Sequence, residues 1–367
     1  MLAIFSLNFN LFLLTVHTTV LRKSFLALLL VIGIAMPTAG YAYALIIPPA
    51  FATTLNPCPP EMAMIPGGIF TMGSDNSGFI EELPAQEVRI SSFCIDKYEV
   101  TNSQFAEFVK ATGYVTVAEG PLSKEQFPDL PDEQRLPGSL VFAIAQPGAK
   151  QLSWWHWQTG ANWRHPNGCE SALAQPAAGI AHQDNYPVVH IAYEDAVAYA
   201  QWAGKSLPTE AQWEYAARGG LNGATYAWGD QYSVKKANTW QGIFPFFNTK
   251  KDGYTGIAPV GSFPPNGYGL YDMTGNVWEL TSDWFMPGHN HKNHSVNPTG
   301  PEQSFDPNKP TEKALHVIKG GSYLCAPNYC SRFRPAARES QSPDTGTTHI
   351  GFRLVKNLTI ERMKNEV

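Results

Sequence analysis

The sequence predicts a mixed α+β domain of low regular secondary structure, forming one compact unit from about residue 56 to 358. Three observations carry this. The 31 Gly and 29 Pro of the 367-residue chain are spread through its body, which favours many turns and short elements. Short strand patterns and capped helical patterns occupy the stretch up to Gly219. Beyond about residue 220 periodicity fades and turn pairs dominate, among them Asn222-Gly223, Asp252-Gly253, Asn266-Gly267 and Gly320-Gly321.

The elements follow in order. Met62–Gly73 alternates apolar positions around Gly67-Gly68, which predicts a strand, a tight turn and a second strand. Val88–Ile95 predicts another strand. Thr101 can cap a helix that places Phe105, Phe108 and Val109 on one face and ends at Gly113. Residues 121–150 carry the least pattern and read as a surface excursion. A second helix covers about Glu194–Trp202, ended by Gly204. A third begins after Pro208, where Thr209 and Gln212 have capping-box spacing, and Gly219 stops it. Loop-rich chain of the kind that follows usually needs metals or disulfides to hold it.

Composition narrows the classes. The apolar share is 44%, enough for a buried core, and the ten Trp read first as core packing. Net charge is −5 and no Lys/Arg run is present, so nucleic acid is not an expected partner. Residues 1–44 read as a leader: Arg22 and Lys23 precede the apolar run Phe25–Met36, and Ala42-Tyr43-Ala44 offers a cleavage site. A periplasmic or extracellular location follows, with membrane contact only through an uncleaved leader. Five cysteines remain: Cys58, Cys94, Cys169, Cys325 and Cys330. Cys58 and Cys94 flank the first strands and are expected to form a structural disulfide; Cys169 has no obvious partner.

The sharpest chemical feature is Gly320-Gly-Ser-Tyr-Leu-Cys-Ala-Pro-Asn-Tyr-Cys330. Its two thiols can form a disulfide, contribute to a zinc site or bind Cu(I). Zinc usually needs four ligands, and no neighbouring Cys or His supplies the rest. Soft thiolates select Cu(I). Spacing alone does not choose between disulfide and copper.

Several stretches together resemble the formylglycine-generating enzyme family, also called sulfatase-modifying factors. They are Tyr98-Glu-Val-Thr-Asn102, Trp163-Arg-His-Pro166, Trp202–Tyr215, Phe263–Tyr271, Gly275-Asn-Val-Trp-Glu279, Gly320–Cys330 and Gly351-Phe-Arg353, spanning nearly the whole mature chain. The resemblance implies a C-type-lectin-like core. It also implies an oxidase that converts a peptidyl cysteine, in a Cys-x-Pro-x-Arg motif of a sulfatase or related hydrolase, to formylglycine using O2. Cys325 and Cys330 match the catalytic thiols that hold Cu(I). Ser322 offers a hydroxyl to position O2 or water, its alternative being a turn hydroxyl bonded to backbone. Trp278 resembles a tryptophan near the substrate groove, with core packing as the alternative. Two Ca2+ sites are implied: Asn238 and Asp252 with the carbonyls of Thr239 and Tyr254, and Asp272 and Glu279 with the carbonyls of Gly275 and Val277.

Departures from the family pattern are visible. Ala200, Ala217, Pro335 and Leu354 stand where animal members carry extra cysteines. Ala326 follows the first thiol where some members have His, and Asp272 stands where Asn is frequent. Gly138 occupies the place of an acid that contacts the substrate arginine in some members. Two other functions compete. One is a non-catalytic lectin-like binding module with a Cys325–Cys330 disulfide. The other is an iron enzyme forming a C–S bond, which wants a His-rich facial site that His156, His165, His182 and His190 do not supply as a close helical pair.

Overall fold

Helices form where the sequence places its caps. Thr101 precedes α1 (Asn102–Thr112): its Oγ1 accepts the Gln104 N–H at 3.4 Å, Gln104 Oε1 accepts the Thr101 N–H at 2.9 Å, and Gly113 closes the helix at φ +69°. The same device starts α3 (Glu210–Arg218) at Thr209 and ends it at Gly219, φ +56°. Between them lies α2 (Tyr193–Trp202), where the buried Asp195 caps through the Ala192 and Val117 amides. The structure is a computed structural model. It describes residues 57–358 apart from 125–127, 147, 149, 151–152, 169–183, 290–293, 309 and 311–313. The expected leader and Cys169 lie outside the described residues. Among these residues no helix is long and apolar enough to cross a membrane.

Strands are short. β1 (Met62–Ile65), β4 (Phe93–Asp96) and β13 (Val355–Asn357) form an antiparallel sheet in the order β1-β4-β13. Hairpins pair β2 (Gly68–Met72) with β3 (Gln86–Ile90), β5 (Gly138–Phe142) with β6 (Trp155–Thr159), and β7 (Gly242–Ile243) with β8 (Phe247–Asn248). The central sheet has the order β11-β10-β9-β12, built from β9 (Trp278–Trp284), β10 (His316–Lys319), β11 (Arg338–Gln341) and β12 (Ile350–Gly351), with β12 parallel to β9. The domain is thus α+β with short elements, as predicted.

The two strands expected around Gly67-Gly68 are present as β1 and β2, and each pairs elsewhere, β1 with β4 and β2 with β3. A Cβ on Gly68 would stand 2.3 Å from the Tyr215 hydroxyl, so this glycine lets the chain cross closely over α3. Two other expectations are corrected. The single strand expected at Val88–Ile95 is two, β3 and β4, separated by Ser91-Ser92. The region beyond 220 is not without regular structure, because it contains the central sheet. In β9, Trp278, Glu279, Leu280, Thr281 and Asp283 are all buried, so both faces are covered and no alternation shows.

The core has two main clusters. One packs α1 and α2 on β9, through Phe105, Phe108, Tyr199, Leu280 and Phe352. The other packs α3 on the strands of the first half, through Ile65, Phe93, Ile95 and Trp213. Cys58 and Cys94 form the expected disulfide, which ties the start of the domain to β4. It closes a loop with a sequence separation of 36, so Cys58→Ser should cost about 3–4 kcal/mol. Denaturant titration checks this, and turnover at 25 °C should be unchanged.

Candidate catalytic thiol site

The thiol loop leaves β10 through Gly320 and Gly321, at φ +92° and +73°. A Cβ on Gly321 would stand 2.9 Å from the Phe333 Cα, so the turn requires glycine there. The Cys325 amide then donates to the Ser322 carbonyl at 2.9 Å, and the Cys330 amide to the Ala326 carbonyl at 2.9 Å. These two turns bring the sulfurs to 2.9 Å without a bond, and both cysteines are free. Cys325 is buried among Trp278, Ile318, Phe333 and Phe352, and Cys330 is partly exposed at the edge of that cluster.

The pair is electrostatically asymmetric. Burial pushes the Cys325 thiol well up, reinforced by its hydrogen bond with Cys330. That same hydrogen bond, together with Arg332, holds Cys330 below the ordinary thiol range in spite of burial. Of the two thiols, Cys330 therefore gives up its proton more readily than Cys325. One equivalent of iodoacetamide at neutral pH should label Cys330 ahead of Cys325, as peptide mapping would show. Preferential labelling of Cys325 would contradict this.

Ser322 is fully buried. Its Oγ accepts the Leu324 N–H at 3.2 Å and lies 3.1 Å from His349 Nδ1. The turn-hydroxyl role is therefore present, and the same hydroxyl is in hydrogen-bonding contact with His349. Burial pushes the His349 imidazole down to about 3, so it is neutral at working pH. His349 escaped notice in the sequence; its only signal is its place just before Gly351-Phe-Arg353. Trp278 is 4% exposed and packs in the same cluster as Cys325, so it forms the floor under the thiol and not an open groove wall. Partly exposed aromatic faces nearby include those of β6 and of Tyr329 in the thiol loop itself. Trp155 meets the His349 ring edge-on at 4.9 Å, and Trp157 follows on the same strand face. Beyond Trp157 a cavity of about 310 Å³ is lined by Gly138, Ser139, Glu194 and Asp344, among others.

The loops bearing the expected calcium ligands are bonded to the thiol loop through backbone. The Trp240 amide donates to the Cys325 carbonyl at 2.9 Å, Gly275 to Gly320 at 2.9 Å and Tyr323 to Asn276 at 2.9 Å. Asn276 in turn donates to the Asn238 carbonyl at 2.9 Å, which joins the two acid-bearing loops to each other. At the first site the Asp252 carboxylate accepts the amides of Thr239 (3.2 Å) and Tyr254 (3.1 Å), and burial raises its pKa against those bonds. Asn238 spends its Nδ2 on Gly256 O and Asn276 Oδ1, so its acceptor end is the oxygen. This set of hard oxygens fits Ca2+.

At the second site Asp272 is buried at φ +56° and accepts the Gly261 amide at 2.6 Å. Burial pushes it up to about 6. Gly275 lies so close to the first loop that a Cβ would stand 2.2 Å from the Asn238 carbonyl, and Val277 is core. Glu279 is already occupied: Arg353 donates to both its oxygens at 2.7 and 2.8 Å, and Trp213 Nε1 adds a bond at 2.8 Å. The acidity of this site fits a cation, although Glu279 is not its free ligand. The two free thiols, with no hard donor between them, fit a soft ion such as Cu(I).

A second group has metal-ligand spacing, buried Glu210, Glu214 and His289. Its charge is already balanced. Lys319 Nζ lies 3.4 Å from Glu210 and 3.1 Å from Glu214, while Arg338 pairs with Glu210 at 2.8 Å and Arg218 with Glu214 at 2.7 Å. This is a buried ion-pair network and not an ion site.

A loop-rich α+β domain that presents two free thiols on a loop tied to its neighbours by backbone hydrogen bonds defines the class of protein. A profile of the Sulfatase-modifying factor enzyme 1-like domain (FGE-sulfatase) matches residues 50–358. The chain is 50% identical over 302 residues to the formylglycine-generating enzyme of Mycobacterium tuberculosis, covering 80% of this chain and 97% of that one. It is 45% identical over 298 residues to that of Mus musculus, covering 80% and 74%. The inactive C-alpha-formylglycine-generating enzyme 2 of Mus musculus is 35% identical over 322 residues, covering 84% and 92%. The chain belongs to the sulfatase-modifying factor (formylglycine-generating enzyme) family.

Proposed function

We propose that this protein is a copper-dependent oxidase that converts a cysteine of an exported sulfatase or related hydrolase, in a Cys-x-Pro-x-Arg motif, to Cα-formylglycine using O2. The observation that carries the reading is the unbonded pair Cys325–Cys330, one sulfur in the core and the other at its edge. Similarity to named formylglycine-generating enzymes supports the reaction. Cys325 and Cys330 would hold Cu(I), which would supply the one-electron chemistry with O2 that breaking a Cβ–H bond demands and acid–base side chains lack. The substrate side chain gives two electrons and two protons to O2, which leaves as hydrogen peroxide, or as water where an added thiol reductant supplies two more electrons. Water then attacks the resulting thioaldehyde, whose sulfur leaves as hydrogen sulfide and is replaced by the aldehyde oxygen.

The chain's own groups bind and orient. The buried Cys325 fixes one end of the pair, and the partly exposed Cys330 faces the incoming thiol. Neutral His349 fixes the Ser322 hydroxyl beside them. The face of Trp155 and Trp157 leads from there to the cavity holding Glu194 and Asp344, which offers carboxylates to the substrate arginine where Gly138 has none. Asp252 and Asp272 would each hold Ca2+ on a loop bonded to the thiol loop, which would stiffen it. Export is in keeping with the Cys58–Cys94 disulfide.

Incubation of copper-loaded protein with a Cys-x-Pro-x-Arg peptide and O2 tests the proposal. Mass spectrometry should show loss of the thiol and gain of an aldehyde. An unchanged peptide, with copper shown to be bound, would defeat the oxidase reading.

A further inference from the structure

The β7–β8 hairpin turns its apolar residues two ways. Phe244 and Pro245 are buried, and the Phe244 ring packs against those of Trp240, Trp154 and Phe142 at 5.3, 5.6 and 5.8 Å. Ile243, Phe246 and Phe247 face outward, at 62, 41 and 61% exposure. Ile243 and Phe247 are register partners, so their side chains stand side by side. The Ala145 amide donates to the Pro245 carbonyl at 3.2 Å, so the chain carrying Ile144, 55% exposed, runs past the tip. Trp240 Nε1 donates to the Phe247 carbonyl at 3.2 Å, which fixes the hairpin on the core. The outward side chains bury little surface in the fold, and a contiguous exposed apolar patch marks a contact surface.

The charge around the patch has one sign. The two stretches that build it, 138–154 and 238–251, contain no Asp or Glu, in a chain whose net charge is −5. They carry Lys150, Lys250 and Lys251, all exposed. Asp252, next in sequence, turns its carboxylate onto the Thr239 and Tyr254 amides. Outward apolar side chains flanked by lysine are complementary to an anionic lipid surface, whose interface takes the rings and whose headgroups take the charges. A second copy of this face would bring lysine against lysine. A substrate carrying Arg is drawn instead to the far end of the β5–β6 hairpin, where Glu194 and Asp344 line the cavity beside Gly138.

We infer that the β7–β8 tip binds the surface of an anionic phospholipid bilayer, with Ile243, Phe246 and Phe247 entering the interfacial layer and the three lysines facing the headgroups. The contact is reversible, because a patch of this size is a single weak membrane signal and not a spanning element. It is separate from any contact made by the leader and does not depend on the oxidase reading. Tyr329 of the thiol loop stacks on Phe244 at 4.2 Å, so a bound tip holds the thiols close to the lipid surface.

Amide hydrogen exchange of the full chain, with and without vesicles, tests this at the hairpin itself. Vesicles of equal parts phosphatidylglycerol and phosphatidylcholine should slow exchange across 142–146 and 242–248 at low salt. Pure phosphatidylcholine vesicles, or high salt, should give little or none of that effect. In the double variant Phe246→Ser/Phe247→Ser the protection should vanish. In Lys250→Glu/Lys251→Glu the vesicle concentration needed for half-protection should rise about tenfold or more, since each lysine near an anionic surface contributes about fivefold in affinity. Unchanged exchange at the tip with anionic vesicles would overturn the inference. So would protection that survives the phenylalanine variant, because it would then come from the leader. Protection by a Cys-x-Pro-x-Arg peptide in place of vesicles would assign the face to substrate. Protection that grows with protein concentration in place of lipid would assign it to a second copy.

Discussion

Serine at position 325 or at position 330 will abolish tight Cu(I) binding and peptide oxidation while leaving the fold intact. The argument is geometric and chemical. The loop brings two sulfurs together, so each provides half of the soft ligand set. A hydroxyl is a poor ligand for Cu(I) and does not ionise near neutral pH, so serine keeps the shape and loses the bond. The loop itself is held by backbone hydrogen bonds at Ser322, Ala326, Trp240 and Gly275, none of which uses sulfur. Melting temperatures should therefore shift by only a few degrees, whereas turnover should fall below detection. Wild-type turnover of Cys330→Ser with bound copper would sink the two-thiolate reading and move the binding-module alternative ahead.

Lys319→Met should destabilise the domain by about 3–5 kcal/mol, because removing one partner of a buried ionic network leaves carboxylates uncompensated. Lys319 has no exposed surface and bonds both Glu210 and Glu214. Burial alone would raise Glu214, yet Lys319 and Arg218 pull it down to about 2. A carboxylate held below its unfolded value adds stability above the ordinary carboxylate pKa and loses it as pH falls toward 2. The variant's deficit should accordingly be largest at neutral pH and shrink below about pH 4. Lys319 also precedes Gly320, so the loosened strand end should speed alkylation of Cys330. A loss under about 1 kcal/mol at pH 7 would show that Arg218 and Arg338 suffice.

The helices were legible because their caps are local: Thr101–Gln104 and Thr209–Gln212 announce themselves at fixed spacing, and Gly113 and Gly219 end what they start. The Cys58–Cys94 bridge was legible for a similar reason, two cysteines flanking the first strands. The central sheet was not. β9 hides Glu279 and Asp283 inside the protein by giving them Arg353 and the Glu210 amide as partners, so a stretch with two acids reads as loop when it is core. At the site, Cys325 and Cys330 were visible as a pair, but their separation and their unequal proton affinity depend on burial. His349 is a single residue without periodicity, and what makes it notable is a partner 27 positions away.

The closeness of the two sulfurs also sets a race. A thiolate beside a thiol is the starting point of disulfide formation, and a compartment that sustains the Cys58–Cys94 bridge contains the oxidants to complete it. Under the proposed export, new polypeptide would then have two fates at the same loop, capture of a soft ion or closure by its own oxidation. The order in which metal and oxidant arrive, more than the affinity of the finished site, would govern how much of the protein is ever competent.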